Sequence, residues 1–251
     1  MPGFELARIY GVPLLLPGGG GEGGLFTARL SQSPNAPVFR PLGLGDLLPQ
    51  ALRGLRGKAL ADSAYPRTGA LAAWLGFCLS RRVLPVSCPE LFLELIAAAH
   101  TGGKDILFIT ATRGDFQEFR RQVGRMFPGI RLTSHLEAAT ANERPDDSLA
   151  FMAKVKPWAV YLGPDLRDRE ALAARLVKEI PSVKCAVLGG YDFELYTRPA
   201  TEGSGLGVGL ALGWSSLRRR PMGVFRLAPA LLVWIDALRV KLFNHNKLGA
   251  P

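Results

Sequence analysis

The sequence predicts an α/β protein: a Rossmann-like parallel sheet covered by helices on both faces, with a basic amphipathic C-terminal appendage. Three observations lead there. Between residues 105 and 188, four short apolar runs alternate with three amphipathic helical patterns. The 251 residues are 48% apolar, enough to build a sizeable core and offset chain entropy. Basic charge gathers near the C-terminus, beside an apolar helical face.

Taken in order, residues 1–57 read as an irregular N-terminal segment. Residues 4–16 suit a short ribbon. The run Gly18-Gly19-Gly20-Gly21-Glu22-Gly23-Gly24 is a flexible loop, because glycine loses the most backbone entropy on ordering. Pro34, Pro37, Pro41 and Pro49 then punctuate the chain, and a short helix is expected over 46–55. Residues 58–200 form the Rossmann-like domain. Lys58-Ala59-Leu60 suits a short strand, and amphipathic helices are expected over 68–79 and 89–100.

Residues 105–110 are an apolar run of strand length. Phe116, Phe119, Val123 and Phe127 then recur at helical spacing, with Asp115 in the favoured first turn and Gly129 as the stop. Residues 130–132 read as the next strand. Asp146 or Asp147 can cap a helix carrying Leu149, Met152 and Val155, which Pro157 ends. A strand over 158–163 comes next. Asp168 can cap a helix whose Leu172, Leu176 and Ile180 share one face, and 183–188 is the last strand.

Parallel sheets bind ligands at the carboxyl ends of their strands. Here those ends hold Thr110, Thr112 and Arg113; Gly163, Pro164 and Asp165; and Gly189, Gly190, Tyr191 and Asp192.

Residues 201–251 open with a glycine-rich linker, whose glycines lack dinucleotide-fingerprint spacing and come after no strand. From Arg218 to Lys247 there are seven basic residues against the single acid Asp236, a surplus of six out of the chain's ten. Leu231, Trp234, Ile235, Leu238 and Leu242 line one helical face. That pattern fits an in-plane membrane helix, and it equally fits a helix packed on the core with solvated arginines.

Several classes are set aside. No P-loop, nucleophile elbow or Asp-x-Asp is present, and the three histidines and three cysteines have no metal-ligand spacing. No cofactor and no metal are expected. Three cysteines make no disulfide framework, and no run approaches a spanning length, so the reading is cytoplasmic. A pI near 9.9 favours anionic partners. The charge sits beside an apolar helix and not among stacking aromatics, so nucleic acid is not the expected partner. The acids Asp62 and Asp192, each at an expected strand end, suit either a general base or a turn residue.

The order of several motifs resembles the WecG/TagA/CpsF glycosyltransferase family over residues 58–225. Ala61-Asp62-Ser63 is similar to its Ala-Asp-Gly, and Leu84-Pro85-Val86-Ser87-Cys88-Pro89-Glu90-Leu91-Phe92 to its Arg-Val-Thr-Gly-x-Asp-Leu. Residues 103–112 look like its strand and subsequent turn, and 158–168 like its strand plus Gly-x-Pro-Lys-Gln-Glu. Val187-Leu188-Gly189-Gly190-Tyr191-Asp192-Phe193 resembles its Gly-x-Gly-Gly-x-Phe-Asp. Gly209-Leu210-Ala211-Leu212-Gly213-Trp214, with Pro221, resembles its Gly-Leu-Glu-Trp…Pro. Pro85 stands where the family has Arg, Arg167 where it has Gln, Gly213 where it has Glu, and Ser63 where it has Gly.

The resemblance implies transfer of a sugar from a UDP-sugar to a polyprenyl-diphosphate-linked saccharide, in cell-surface polysaccharide assembly. The reaction would be inverting and metal-independent, at the inner face of the plasma membrane. Asp62 takes the place of the family's base. Ser63, Thr110, Thr112, Gly163, Pro164, Arg167, Gly189, Gly190, Tyr191 and Asp192 would line the substrate site. Arg218, Arg219 and Arg220 would face diphosphate oxygens. Family members can self-associate, so a homo-oligomer is compatible. The replaced Arg and Gln open a second reading, a catalytically impaired relative acting as a membrane-bound partner in the same assembly.

Overall fold

The computed structural model describes residues 4–9, 12–17, 29–31, 36–55, 61, 63–67, 69–81, 83, 88–130, 132 and 134–189. Asp62, Gly190, Tyr191, Asp192, Arg218, Arg219 and Arg220, the loop 18–24, the expected strand 58–60 and the appendage 201–251 lie outside these residues.

The described chain is α/β, with one eight-stranded sheet in the order β1-β2-β4-β3-β8-β7-β5-β6. β1 (Phe4–Ile9) and β2 (Val12–Pro17) form an antiparallel ribbon, and every other pairing is parallel. β3 (Val38–Leu42) leads through α1 (Leu44–Leu55) to β4 (Ser63–Pro66). Then α2 (Gly69–Leu79) and α3 (Cys88–Thr101) carry the chain across to β5 (Ile106–Thr110). Next come α4 (Arg113–Met126), β6 (Ser134–Glu137), α5 (Ala138–Glu143), α6 (Pro145–Val155) and β7 (Ala159–Leu162). α7 (Arg169–Glu179) and β8 (Cys185–Leu188) complete the order.

Alternation along the strands divides the core between two faces. Phe39, Phe108, Tyr161 and Val187 meet Leu91, Phe92, Leu95 and Ile96 of α3 and Phe116, Phe119 and Val123 of α4. This face is aromatic: the Phe92 ring centroid lies 5.2 Å from that of Tyr161 and 5.5 Å from that of Phe119. On the other face Leu107, Ile109, Val160, Leu162, Ala186 and Leu188 meet α5, α6 and α7. That layer continues over β2, β3 and β4, where Leu14, Leu16, Leu42 and Ala64 pack on Leu47 of α1 and on Leu71, Trp74 and Leu75 of α2. Helices on both faces make β5, β7 and β8 buried throughout.

Two expectations shift. The N-terminal segment carries the expected ribbon and helix, but the loops read between them also hold β3, which hides behind Pro37 and Pro41. Pro41 is tolerated at an interior strand: it pairs with Tyr65, and the β3–β8 register covers only Val38 and Phe39. The strand expected at 130–132 is instead β6 at Ser134–Glu137. Gly129, at φ 83°, extends the turn, and Leu132 is buried outside the strand. β6 is an edge strand, so half-exposed Ser134, His135 and Leu136 give no apolar run.

The connections place a crevice. From β5 the chain runs through α4 outward to β6, whereas from β7 it runs through α7 the opposite way to β8. α4 and α7 lie on opposite faces, as a uniform crossover hand requires. The chains leaving the neighbouring ends of β5 and β7 therefore turn to opposite faces of the sheet. This is a topological switch point, where open α/β sheets bind ligands.

Candidate functional site

The register aligns the carboxyl edge. Thr110 pairs with Glu137, and Ile109 pairs with Leu162, which pairs with Leu188. One step further along lie Thr110, Gly163 and Gly189, so three expected site residues sit side by side at the ends of β5, β7 and β8.

Each glycine there has an internal reason. The Gly163 N–H donates to the Ile109 carbonyl at 2.8 Å, and a Cβ at Gly163 would stand 2.6 Å from that same oxygen. The Gly189 N–H donates to the Leu162 carbonyl at 2.8 Å. A Cβ at Gly189 would run into the Tyr161 ring and hydroxyl. The close approach that the Gly189 sequence signal implies is thus made by Tyr161, from the adjacent strand. Gly163→Ala must push the β5 end away from β7; a loss of about 1–3 kcal/mol is expected, as for overpacking, read as a lower urea midpoint.

The β5–α4 turn is held by side chains. Thr112 caps α4, its Oγ1 accepting from the Asp115 N–H at 3.1 Å and donating to Asp115 Oδ2 at 2.9 Å. Thr110 is buried, and its Oγ1 lies 2.9 Å from His135 Nε2 and 3.4 Å from the Thr112 carbonyl. The His135 ring stacks on Phe116, with centroids 4.7 Å apart and planes at 15°. Burial pulls the His135 pKa below its usual value; Glu137 opposes that shift and Arg113 adds to it.

The β7–α7 loop is fixed from α5. The Asn142 amide donates to the Asp165 carbonyl at 3.2 Å and accepts from the Arg167 N–H at 2.8 Å. Arg167 is exposed, and Pro164 is half-buried. Asp168 occupies the cap position of α7 in the left-handed region, φ 42°, and makes no side-chain capping bond. The expected Asp168 cap is thus positional only, whereas Thr112 caps α4 with its side chain. Arg169, not singled out in the sequence, donates from Nη1 to the Gly189 carbonyl at 2.6 Å and so ties α7 to the β8 end. Arg167 and Arg169 share this loop with the exposed carboxylates of Asp165 and Asp168.

Ser63 is not part of this edge. It opens β4 level with Phe39, is fully buried, and accepts from Arg29 Nε at 3.0 Å. Four strand spacings separate β4 from β5, roughly 19 Å. Buried Cys185 has its thiol pushed far above the usual range, so it is a core residue and not a nucleophile. Among the described residues, no group of three or more His, Cys, Asp and Glu gathers as a metal ion's ligands would. Among them, too, no helix is long and apolar enough to cross a membrane.

The switch point thus lines up Thr110, Gly163 and Gly189 between the Thr110–Thr112 turn and the loop that carries Arg167 and Arg169. No family model and no curated protein matches the chain.

Proposed function

We propose that the chain is a glycosyltransferase that takes a UDP-sugar at the carboxyl edge of its parallel sheet and transfers the sugar to a polyprenyl-diphosphate-linked saccharide. The observation that carries this reading is the β5/β7 switch point, with two arginines in the loop that enters α7. Arg167 and Arg169 stand at the α7 end, where a diphosphate gains both the cations and the helix terminus. The ordered motif resemblance over residues 58–225 adds the reaction type.

In this reading Asp62 takes the proton from the acceptor hydroxyl as its oxygen attacks the anomeric carbon. The bond from that carbon to the diphosphate oxygen breaks, and its electron pair leaves with UDP. Attack opposite the leaving group inverts the configuration. Arg218, Arg219 and Arg220 pair with diphosphate oxygens of donor or acceptor. The basic, Trp-bearing appendage holds the protein on an anionic membrane surface at its cytoplasmic face.

A second reading, a relative that binds the assembly without turnover, is favoured by the place of Ser63, roughly 19 Å from the β5 end. Pro85 and Arg167, in place of the family's Arg and Gln, favour it too.

Isothermal titration of the full-length protein in detergent, with a panel of UDP-sugars and with lipid-linked acceptor present, tests the donor site. One UDP-sugar is expected to bind with a dissociation constant of about 1 μM to 1 mM, the usual range for enzyme substrates. Folded protein that binds none contradicts both the site and the reaction.

A further inference from the structure

We propose that His135 is a positioning residue: its imidazole sets the direction of the Thr110 hydroxyl, and through it the β5–α4 turn and the affinity for the donor. The ligand side of this inference rests on the UDP-sugar reading above.

His135 and Thr110 meet only because β6 pairs with β5. The ring has few freedoms. Phe116 of α4 stacks on one side, Thr110 of β5 bonds Nε2, and the charged groups that face it are Glu137 of its own strand and Arg113 of α4. Thr110 is 3% exposed, so its hydroxyl acts on the turn and not on the ligand.

A hydroxyl has one proton and can accept as well as donate. The Thr112 carbonyl can only accept, so Thr110 Oγ1 donates to it at 3.4 Å and accepts from His135 Nε2–H at 2.9 Å. That places the neutral ring's proton on Nε2. The same carbonyl accepts from the Phe116 N–H at 3.3 Å, in the first turn of α4. The relay from Nε2–H through the hydroxyl to the Thr112 carbonyl therefore ties β6 to the residue that caps α4.

The test is UDP-sugar titration of the full-length protein from pH 5 to 8, on wild type, His135→Gln and His135→Phe. Wild-type affinity should stay within about threefold across this range, since the ring donates from Nε2 whether neutral or charged. His135→Gln keeps a donor at this position and should bind within a few-fold of wild type. His135→Phe keeps the stack and loses the bond, and should bind roughly three- to tenfold more weakly at pH 7.5. Imidazole nitrogen shifts in ligand-free protein should show the Nε2-protonated tautomer. An Nδ1-protonated neutral ring, no rescue by His135→Gln, or undiminished binding by His135→Phe would each overturn the role of His135 while leaving the donor site standing. Absence of UDP-sugar binding at every pH overturns the donor site and this role with it.

Discussion

Glu170→Ala is expected to cost about 3–5 kcal/mol of stability, the usual penalty for removing one partner of a buried ion pair. Glu170, in the first turn of α7, is 7% exposed. It pairs with Arg40 of β3, and its other oxygen lies 3.5 Å from Arg53 of α1. Gln50 completes the cluster: with its amide oxygen turned toward Arg40, it accepts from both Nη atoms at 2.8 Å. One carboxylate thus serves two guanidinium groups under the junction of α1 and α7. Its removal leaves two cations facing each other in a low-dielectric setting. Thermal unfolding should drop by roughly 6–20 °C, at the few degrees per kcal/mol usual for a domain of this size. Arg40→Met should cost less, because Arg53 remains to pair with Glu170. The double variant Arg40→Met with Glu170→Leu should recover part of the loss, since only Arg53, the more exposed of the two cations, then lacks the carboxylate. Equal losses from Glu170→Ala and the double variant, in urea unfolding, would show that packing and not charge holds the junction.

The second large effect is catalytic. Asp62→Asn should lower turnover about 10²–10⁴-fold, the range for a general base, with UDP-sugar affinity unchanged. Asparagine keeps the size of the side chain and cannot take the acceptor proton. A loss confined to kcat would fit a group engaged only as the acceptor attacks. Unchanged turnover removes Asp62 from the reaction. An equal loss of donor affinity makes it a donor-binding residue instead.

Which parts of the fold are legible in the sequence depends on which residues bury themselves. β5, β7 and β8 are covered on both faces, so each has to be a short apolar run between turn residues, and each shows as one. α4 is legible through Phe116, Phe119 and Val123, its buried residues. β6 is not, because an edge strand needs no apolar run: Ser-His-Leu-Glu carries no periodic signal. α5, six residues with buried Ala138 and Ala141, is too short to show helical periodicity. At the site, Thr110, Gly163 and Gly189 are legible as strand ends, and their reading as a ligand's neighbours comes from the fold class. Nothing local in the chain hints that Gly189 makes room for Tyr161, nor that Arg169 reaches the Gly189 carbonyl. Both depend on β7 and β8 being adjacent, and pairing order is set by the fold as a whole. The same holds for His135 against Thr110, residues joined only by the β5–β6 register.

His135 also ties stability to pH. Burial favours its neutral form, so the unfolded chain binds the proton more readily than the folded one. Its contribution is present above the usual His value and is lost as pH falls through the lowered one. The stability gap between wild type and His135→Gln should therefore narrow as pH falls below about 6.5.

The central claim is that a UDP-sugar sits across the ends of β5, β7 and β8. Amide hydrogen exchange with and without a saturating UDP-sugar, in the presence of lipid-linked acceptor, tests it most directly. Exchange should slow at residues 110–116 and 163–169, with the distal ends of α4 and α7 unchanged. Protection that spares both turns and falls instead on the β1–β2 ribbon or on α2 would contradict it.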